Sequence, residues 1–292
     1  MPKATIQTLV GKKTAQQQIS MLAVSDFPFA KLAEEAKIDV LLVGDSIGMT
    51  VYGFSSLLPV TMDLMVPHTQ AVRKGAPNTF LIGDLPFLTY EITIPDAIRN
   101  AGRFMAECGC DAVKLEGGQT RTETIKALVN SSIPVVGHIG FTPQAMTLLG
   151  GFKSPGQDVN AALRIVEDAK ALEAAGICML VLEAVPAEIA SHIAKSVKVP
   201  VIGFGSGPGL DGQILLLHDL LGLFESFTKK FAKRYIDLSR DIKKAVGEFI
   251  NDIENGKFPD EQNVDHMPAE VSQAFRQAVN AVNPLLTPEK LH

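Results

Sequence analysis

The sequence predicts a (β/α)8 barrel with a C-terminal helical extension, and three observations carry that prediction. Eight short runs are almost continuously apolar, as strands of a parallel sheet buried on both faces must be. Stretches of helical periodicity separate most consecutive runs, the strand–helix alternation that builds a parallel sheet. At 292 residues and 46% hydrophobic content, the chain is also long enough for a barrel, which takes about 250 residues as one unit. A doubly wound open sheet is the competing arrangement of the same elements.

Taken in order, the strands are predicted at 20–25, 40–44, 79–83, 112–115, 135–139, 178–182, 201–205 and 214–217. The helices between them carry start and stop signals. Thr93 with Asp96, and Thr120 with Glu123, have capping-box spacing. Pro143 and Pro186 suit first helical positions. Gly109 and Gly176 stand where a helix must end before the next strand. After Leu217 the pattern changes. Residues 229–254 form a long, charged, amphipathic stretch that ends at Asn255-Gly256, with Pro259 beyond and a polar segment at 260–266. Val271, Phe275, Val279 and Val282 then recur on one helical face. The reading is a catalytic barrel with its following helix at 1–259 and a helical extension at 260–292.

Composition narrows the function classes. No apolar run approaches the roughly 20 residues of a membrane span. Basic residues near the start (Lys3, Lys12, Lys13) precede no signal-peptide core, because Gln16, Gln17 and Gln18 interrupt it. Three cysteines make no disulfide framework, so a reducing, cytoplasmic setting is expected. The net charge of −5 argues against nucleic acid as a main partner.

In a parallel barrel the chemistry sits at the C-terminal strand ends. Six of the eight ends carry an acid: Asp26, Asp45, Asp84, Glu116, Glu183 and Asp219. One such acid is ordinarily a helix cap, but a set of them at one mouth repel one another unless a cation neutralises them. Asp45, Asp84 and Glu116 are hard oxygen donors suited to Mg2+. Lys114 and Glu116, two apart on a strand, share its face. A charged pair on an inward face is costly unless it serves a site or a salt bridge, and a lysine there could anchor a carboxylate or steady an enolate. Glu183 follows an all-apolar strand and reads either as a general base or as the cap of the helix begun by Pro186. His138 is open between metal ligand, proton shuttle and packed histidine. The glycine-rich segment 203–209 lacks the Lys-Ser/Thr of a P-loop and reads as a turn that lets backbone approach a ligand closely. Cys108 and Cys110 have no second pair and read as inert. Lys229, Lys230, Lys233 and Arg234, interleaved with Phe231 and Tyr235, read as a solvated helix face.

Nine segments carry a resemblance. They are 43–49 (Val-Gly-Asp-Ser-Ile-Gly-Met), 58–61 (Leu-Pro-Val-Thr), 71–77, 83–87 (Gly-Asp-Leu-Pro-Phe), 113–118 (Val-Lys-Leu-Glu-Gly-Gly), 137–144 (Gly-His-Ile-Gly-Phe-Thr-Pro-Gln), 172–176, 182–186 (Leu-Glu-Ala-Val-Pro) and 211–215. In these motifs and their order the chain resembles the ketopantoate hydroxymethyltransferase (3-methyl-2-oxobutanoate hydroxymethyltransferase) family over roughly residues 5–259. The resemblance implies a barrel of the phosphoenolpyruvate mutase/isocitrate lyase type, Mg2+ dependence, and a homo-oligomer, often a decamer. It implies transfer of a hydroxymethyl group from 5,10-methylenetetrahydrofolate to 3-methyl-2-oxobutanoate in pantothenate synthesis. Position by position, Asp45, Asp84 and Glu116 match the metal acids. Asp45, Ser46, Asp84 and Lys114 match the keto-acid contacts, and Glu183 matches the proton acceptor. Ser25 stands where the family usually has Tyr, Ser206 where it often has Ala, and Pro208 is unexpected. Two other classes fit the same residues: a Mg2+-dependent lyase or mutase of the related superfamily acting on another 2-oxo acid, and a non-catalytic scaffold, which the intact acid set disfavours.

Overall fold

The computed structural model describes residues 3–151, 154–224 and 231–282. Eight parallel strands close into a barrel in chain order: β1 (Ile19–Ala23), β2 (Val40–Val43), β3 (Phe80–Asp84), β4 (Ala112–Glu116), β5 (Val135–Gly140), β6 (Met179–Glu183), β7 (Val201–Phe204) and β8 (Gly212–Leu216). Pairing of β1 with β8, Ile19 opposite Gly212, closes the ring and excludes the open sheet. Each predicted strand overlaps the observed one, with no end shifted by more than two residues.

The helices are α1 (Ile6–Thr14), α2 (Phe27–Glu35), α3 (Ile47–Thr50), α4 (Met62–Gly75), α5 (Ile94–Cys108), α6 (Thr122–Asn130), α7 (Met146–Leu149), α8 (Val159–Ala175), α9 (Ala187–Ser196), α10 (Leu217–Leu221), α11 (Leu238–Glu254) and α12 (Ala269–Val282). Among the described residues no helix is long and apolar enough to cross a membrane. Gly109 and Gly176 end α5 and α8 in the left-handed conformation, as expected of a C-cap. Thr93 caps α5 by accepting from the Asp96 amide at 3.2 Å. The capping box expected at Thr120 does not form. Gln119–Arg121 is instead a 3-10 turn, because the Gln119 amide donates to Asp168 of α8 at 2.8 Å and α6 starts only after that anchor. Pro186 is the cap of α9 and not its first residue. Asp26 has the modest role a strand-end acid usually has, capping α2 through the Phe29 amide.

Strand register decides which side chains meet. Asp84 lies opposite Lys114, Glu116 opposite His138, and Gly140 opposite Glu183. Partners across parallel strands share a face, and that face alternates along each strand. The parity of Asp84, Lys114, Glu116, His138 and Glu183 is that of Ile82, Ala112, Val136 and Val181, which pack together inside the barrel. The opposite parity (Leu81, Val113, Leu115, Leu180, Leu182) packs under the helices. All five polar groups therefore point inward, above an apolar plug. The other end is closed by α1. Leu9 is buried, and Lys13 Nζ binds Asp211, Ala194 O and Val199 O at 2.8–2.9 Å. Only the C-terminal mouth is left for chemistry.

The chain divides into two compact units, Met1–Asp237 and Leu238–His292; the sequence reading keeps 238–259 with the first. The helix expected over 229–254 begins at Leu238, and 225–230, with Lys229 and Lys230, lies outside the described residues. Residues 231–237 are held to the barrel instead. The Phe231 ring meets Phe204 edge-on at 5.0 Å, and the Tyr235 amide donates to Leu220 O at 2.9 Å. In the second unit, α12 carries the expected stripe, and Val271, Phe275, Val279 and Val282 are all exposed.

Candidate active site

A cavity of about 330 Å3 opens at the C-terminal mouth, lined by Asp45, Ser46, Lys114, Glu116, His138 and Glu183 over a floor that includes Leu42, Val181, Phe204 and Ile214. Asp45 and Ser46 come from the turn between β2 and α3; the others end β4, β5 and β6. Asp84 ends β3 and lies behind this wall. Its Oδ1 accepts from Lys114 Nζ at 2.7 Å, and its Oδ2 from the Asp45 amide at 3.3 Å. Asp45, Asp84, Lys114, Glu116, His138 and Glu183 are each 2–4% exposed. The residues singled out from sequence are thus brought together, with Asp84 reached through Lys114 and Asp45.

The electrostatics follow from burial. Taking one ion out of water costs several kcal/mol even after relaxation, and here four carboxylates face one lysine. Burial, reinforced by the Asp84 charge, pushes the Asp45 carboxyl well above the usual carboxylate range. Burial also raises Asp84, against the pull of Lys114. Burial opposes the charge on Lys114, but Asp84, Glu116 and Asp45 outweigh it and hold its proton tightly. Glu116 is lowered despite burial, because Lys114 and His138 stand beside it. His138 Nδ1 lies 3.3 Å from Glu116 Oε1, and Nε2 lies 3.4 Å from Glu183 Oε2. Both distances are ion-pair contacts, long for hydrogen bonds. Burial and the Lys114 charge push the ring toward neutrality, but the two carboxylates outweigh them and raise its pKa.

The donor chemistry suits Mg2+, which takes oxygen ligands, keeps several waters and needs only one or two protein carboxylates. Asp45 and Asp84 supply such a pair. Among the described residues no group of three or more His, Cys, Asp or Glu side chains is placed to hold a metal ion together, so the fit rests on two carboxylates with water completing the shell. Glu116 Oε2 accepts from the Gln144 amide at 3.1 Å, and Oε1 faces His138 and Lys114.

The turn that carries Glu183 is clamped from both sides. Glu183 O accepts from the Phe141 amide, and the Ala184 amide donates to Phe204 O. Ser206 Oγ donates to Leu182 O at 2.7 Å and accepts from the Val185 amide at 3.0 Å. These bonds hold Ala184 at φ +53°, a conformation that costs a non-glycine residue about 1–3 kcal/mol. Gly140, at φ +99°, lets β5 pass close by, and a Cβ there would stand 2.4 Å from Glu183 O. Gly140→Ala is therefore expected to destabilise the fold by at least about 1 kcal/mol, read as a lowered denaturant midpoint, and to displace Glu183.

One expectation changes. The glycine-rich turn after β7 does permit a close approach, but by protein: a Cβ on Gly205 would stand 2.4 Å from the Phe231 ring. His68 bridges Tyr52 Oη at 2.9 Å and Ser25 O at 2.6 Å. Cys108 and Cys110 are free and buried, and burial raises both thiols, Cys108 to about 11, which suits the inert reading. Sequence reasoning gave no role to Gln144 and Tyr90, both buried against the acids. Neither has a diagnostic spacing, and only contact reveals them.

The closed parallel barrel has the fold of solved members of the phosphoenolpyruvate mutase/isocitrate lyase superfamily. A solved 2,3-dimethylmalate lyase of that superfamily superposes with a TM-score of 0.58 at 15% identity, covering 98% of this chain and 99% of its own. Phosphonopyruvate hydrolase in complex with oxalate and Mg2+ superposes with a TM-score of 0.58 at 14% identity, covering 97% and 99%. Within that fold the chain belongs to the ketopantoate hydroxymethyltransferase family, whose model matches residues 3–261. It is 48% identical over 261 residues to the 3-methyl-2-oxobutanoate hydroxymethyltransferase of Syntrophus aciditrophicus, an alignment covering 89% of this chain and 96% of that one.

Proposed function

We propose that the chain transfers a hydroxymethyl group from 5,10-methylenetetrahydrofolate to 3-methyl-2-oxobutanoate, forming 2-dehydropantoate in pantothenate biosynthesis. The observation that carries this reading is the cavity lined by a buried lysine, by Asp45 and by the separate carboxylate Glu183, with Asp84 bonded to the lysine from behind. Removing a proton beside a carbonyl and holding the resulting enolate requires such a division of labour.

Asp45 and Asp84 would hold Mg2+, with Glu116 completing the acidic set through water. When bound, the ion polarises the 2-keto group and acidifies the neighbouring C3–H. Glu183 takes the C3 proton. Lys114, kept charged by its carboxylate neighbours, stabilises the enolate oxygen and, with Ser46, orients the substrate carboxylate. The apolar floor receives the isopropyl group and keeps water from quenching the carbanion. Water adds to the folate's methylene carbon as its bonds to N5 and N10 break, releasing tetrahydrofolate and formaldehyde. The enolate carbon forms its C–C bond to that formaldehyde carbon, and the alkoxide takes up a proton to become the hydroxymethyl group.

The test is product analysis with purified protein, Mg2+ and the keto acid. Formation of 2-dehydropantoate only when methylenetetrahydrofolate is present supports the reading. Folate-independent release of pyruvate or glyoxylate from other 2-oxo acids would replace it with a lyase of the related superfamily.

We place the enzyme in the cytoplasm as a homo-oligomer, a decamer by family resemblance, acting on small molecules with no nucleic-acid or membrane partner. A lone helix of the length of α12 is marginal in water, and its exposed stripe supports a role in assembly. Truncation after Pro259 is expected to leave keto-acid binding intact while lowering the melting temperature or dissociating the oligomer. Unchanged melting and mass in light scattering would make the segment a frayed tail.

A further inference from the structure

We propose that Gln144 is a positioning residue that fixes Asp45 and Glu116 for metal binding, with Tyr90 locking its amide; this rests on the Mg2+ reading above. Gln144 sits in the 3-10 turn Pro143–Ala145 after β5 and is 5% exposed. Its Nε2 donates to Asp45 Oδ2 at 2.8 Å and to Leu85 O at 3.0 Å. Its Oε1 accepts from Tyr90 Oη at 2.6 Å, and its backbone amide donates to Glu116 Oε2 at 3.1 Å.

This wiring permits one orientation. A flipped amide would aim its oxygen at two acceptors, the Asp45 carboxylate and the Leu85 carbonyl, and would leave the Tyr90 hydroxyl proton only the Glu116 carbonyl, 3.4 Å away. Tyr90, 2% exposed, reinforces the choice: its oxygen accepts from the Glu116 amide at 3.2 Å, and its proton goes to Gln144 Oε1 at 2.6 Å in preference to Glu116 O at 3.4 Å. One residue therefore assigns one oxygen on each of two carboxylates that arise from different strand ends. Asp45 comes from a turn and has no strand register of its own to fix it. A carboxylate free to rotate in a buried site loses ordering entropy on binding an ion; one already held does not.

The test uses Mn2+ alone as the probe, with binding followed by electron paramagnetic resonance, on the full chain. Gln144→Met keeps the volume and removes the side-chain hydrogen bonds. Its Mn2+ affinity is expected to fall about 10–100-fold, the range for residues that orient metal ligands, with the melting transition still cooperative. Gln144→Glu, which sets a carboxylate against Asp45, is expected to bind more weakly still, and Tyr90→Phe to lose affinity in the same direction but less. A residue that only bridged loops would lower the melting temperature and leave Mn2+ affinity within twofold of the parent, which overturns the proposal. If Gln144→Met does not fold, unchanged affinity in Tyr90→Phe overturns it equally. Asp45→Asn separates the two readings. Lost binding there with normal binding in the Gln144 and Tyr90 variants defeats the positioning role alone, whereas normal binding in Asp45→Asn defeats the metal reading and this proposal with it.

Discussion

Asp84→Ala is expected to lose nearly all turnover. The side chain has two tasks, and the substitution removes both. It supplies one of the two carboxylates assigned to Mg2+, and it accepts the 2.7 Å hydrogen bond that holds Lys114. Losing an inner ligand should cost more than the roughly 10–100-fold of an outer-sphere change. Lys114 keeps Glu116 at 3.6 Å, so the added stability penalty should fall below the roughly 3–5 kcal/mol of a fully broken buried ion pair. Asp84→Asn separates the two effects, because it keeps a hydrogen-bond acceptor for Lys114 while discarding the charge. Parallel loss of activity in both variants, with a cooperative melt retained in Asp84→Asn, supports the assignment. Normal activity in either would remove Asp84 from the metal site.

Glu183→Gln should be the second large loss, of a different kind. It leaves Asp45, Asp84 and Lys114 untouched, so keto-acid binding should persist. The carboxamide cannot take a proton at C3, and the step should slow by about 10²–10⁴-fold, the usual scale for a general base. The kcat should therefore collapse with little change in ligand affinity. Unchanged rates would transfer the base role to another group, and His138, 3.4 Å from Glu183, would be the first to test.

Much of this site was legible because a parallel barrel converts sequence position into spatial position. Continuous apolar runs mark strands buried on both faces, and whatever polar residue follows each run lands at one mouth. That logic reached Asp45, Asp84, Glu116 and Glu183, and the two-residue spacing of Lys114 and Glu116 put both inside. It does not reach loop geometry. Gln144 is one amide in a turn, and its importance depends on Tyr90 and Asp45, 54 and 99 residues away in sequence. Nor does it order the layers, so the seat of Asp84 behind Lys114 was invisible. Helix starts failed where a tertiary contact overrode a local cap: Asp168 draws the Gln119 turn away from Thr120, and Phe231 and Tyr235 hold to the barrel a segment whose composition suits a helix.

In the proposed reaction Glu183, working in a cation-dependent acidic site, removes the C3 proton of the keto acid before any carbon is transferred. Hydrogen–deuterium exchange at C3 of 3-methyl-2-oxobutanoate, followed by proton NMR in D2O without folate, measures that step alone. Exchange is expected to require Mg2+, to disappear with chelation, and to fall by at least about 10²-fold in Glu183→Gln. Exchange that proceeds equally without Mg2+, or at the parent rate in Glu183→Gln, would contradict the proposed reaction.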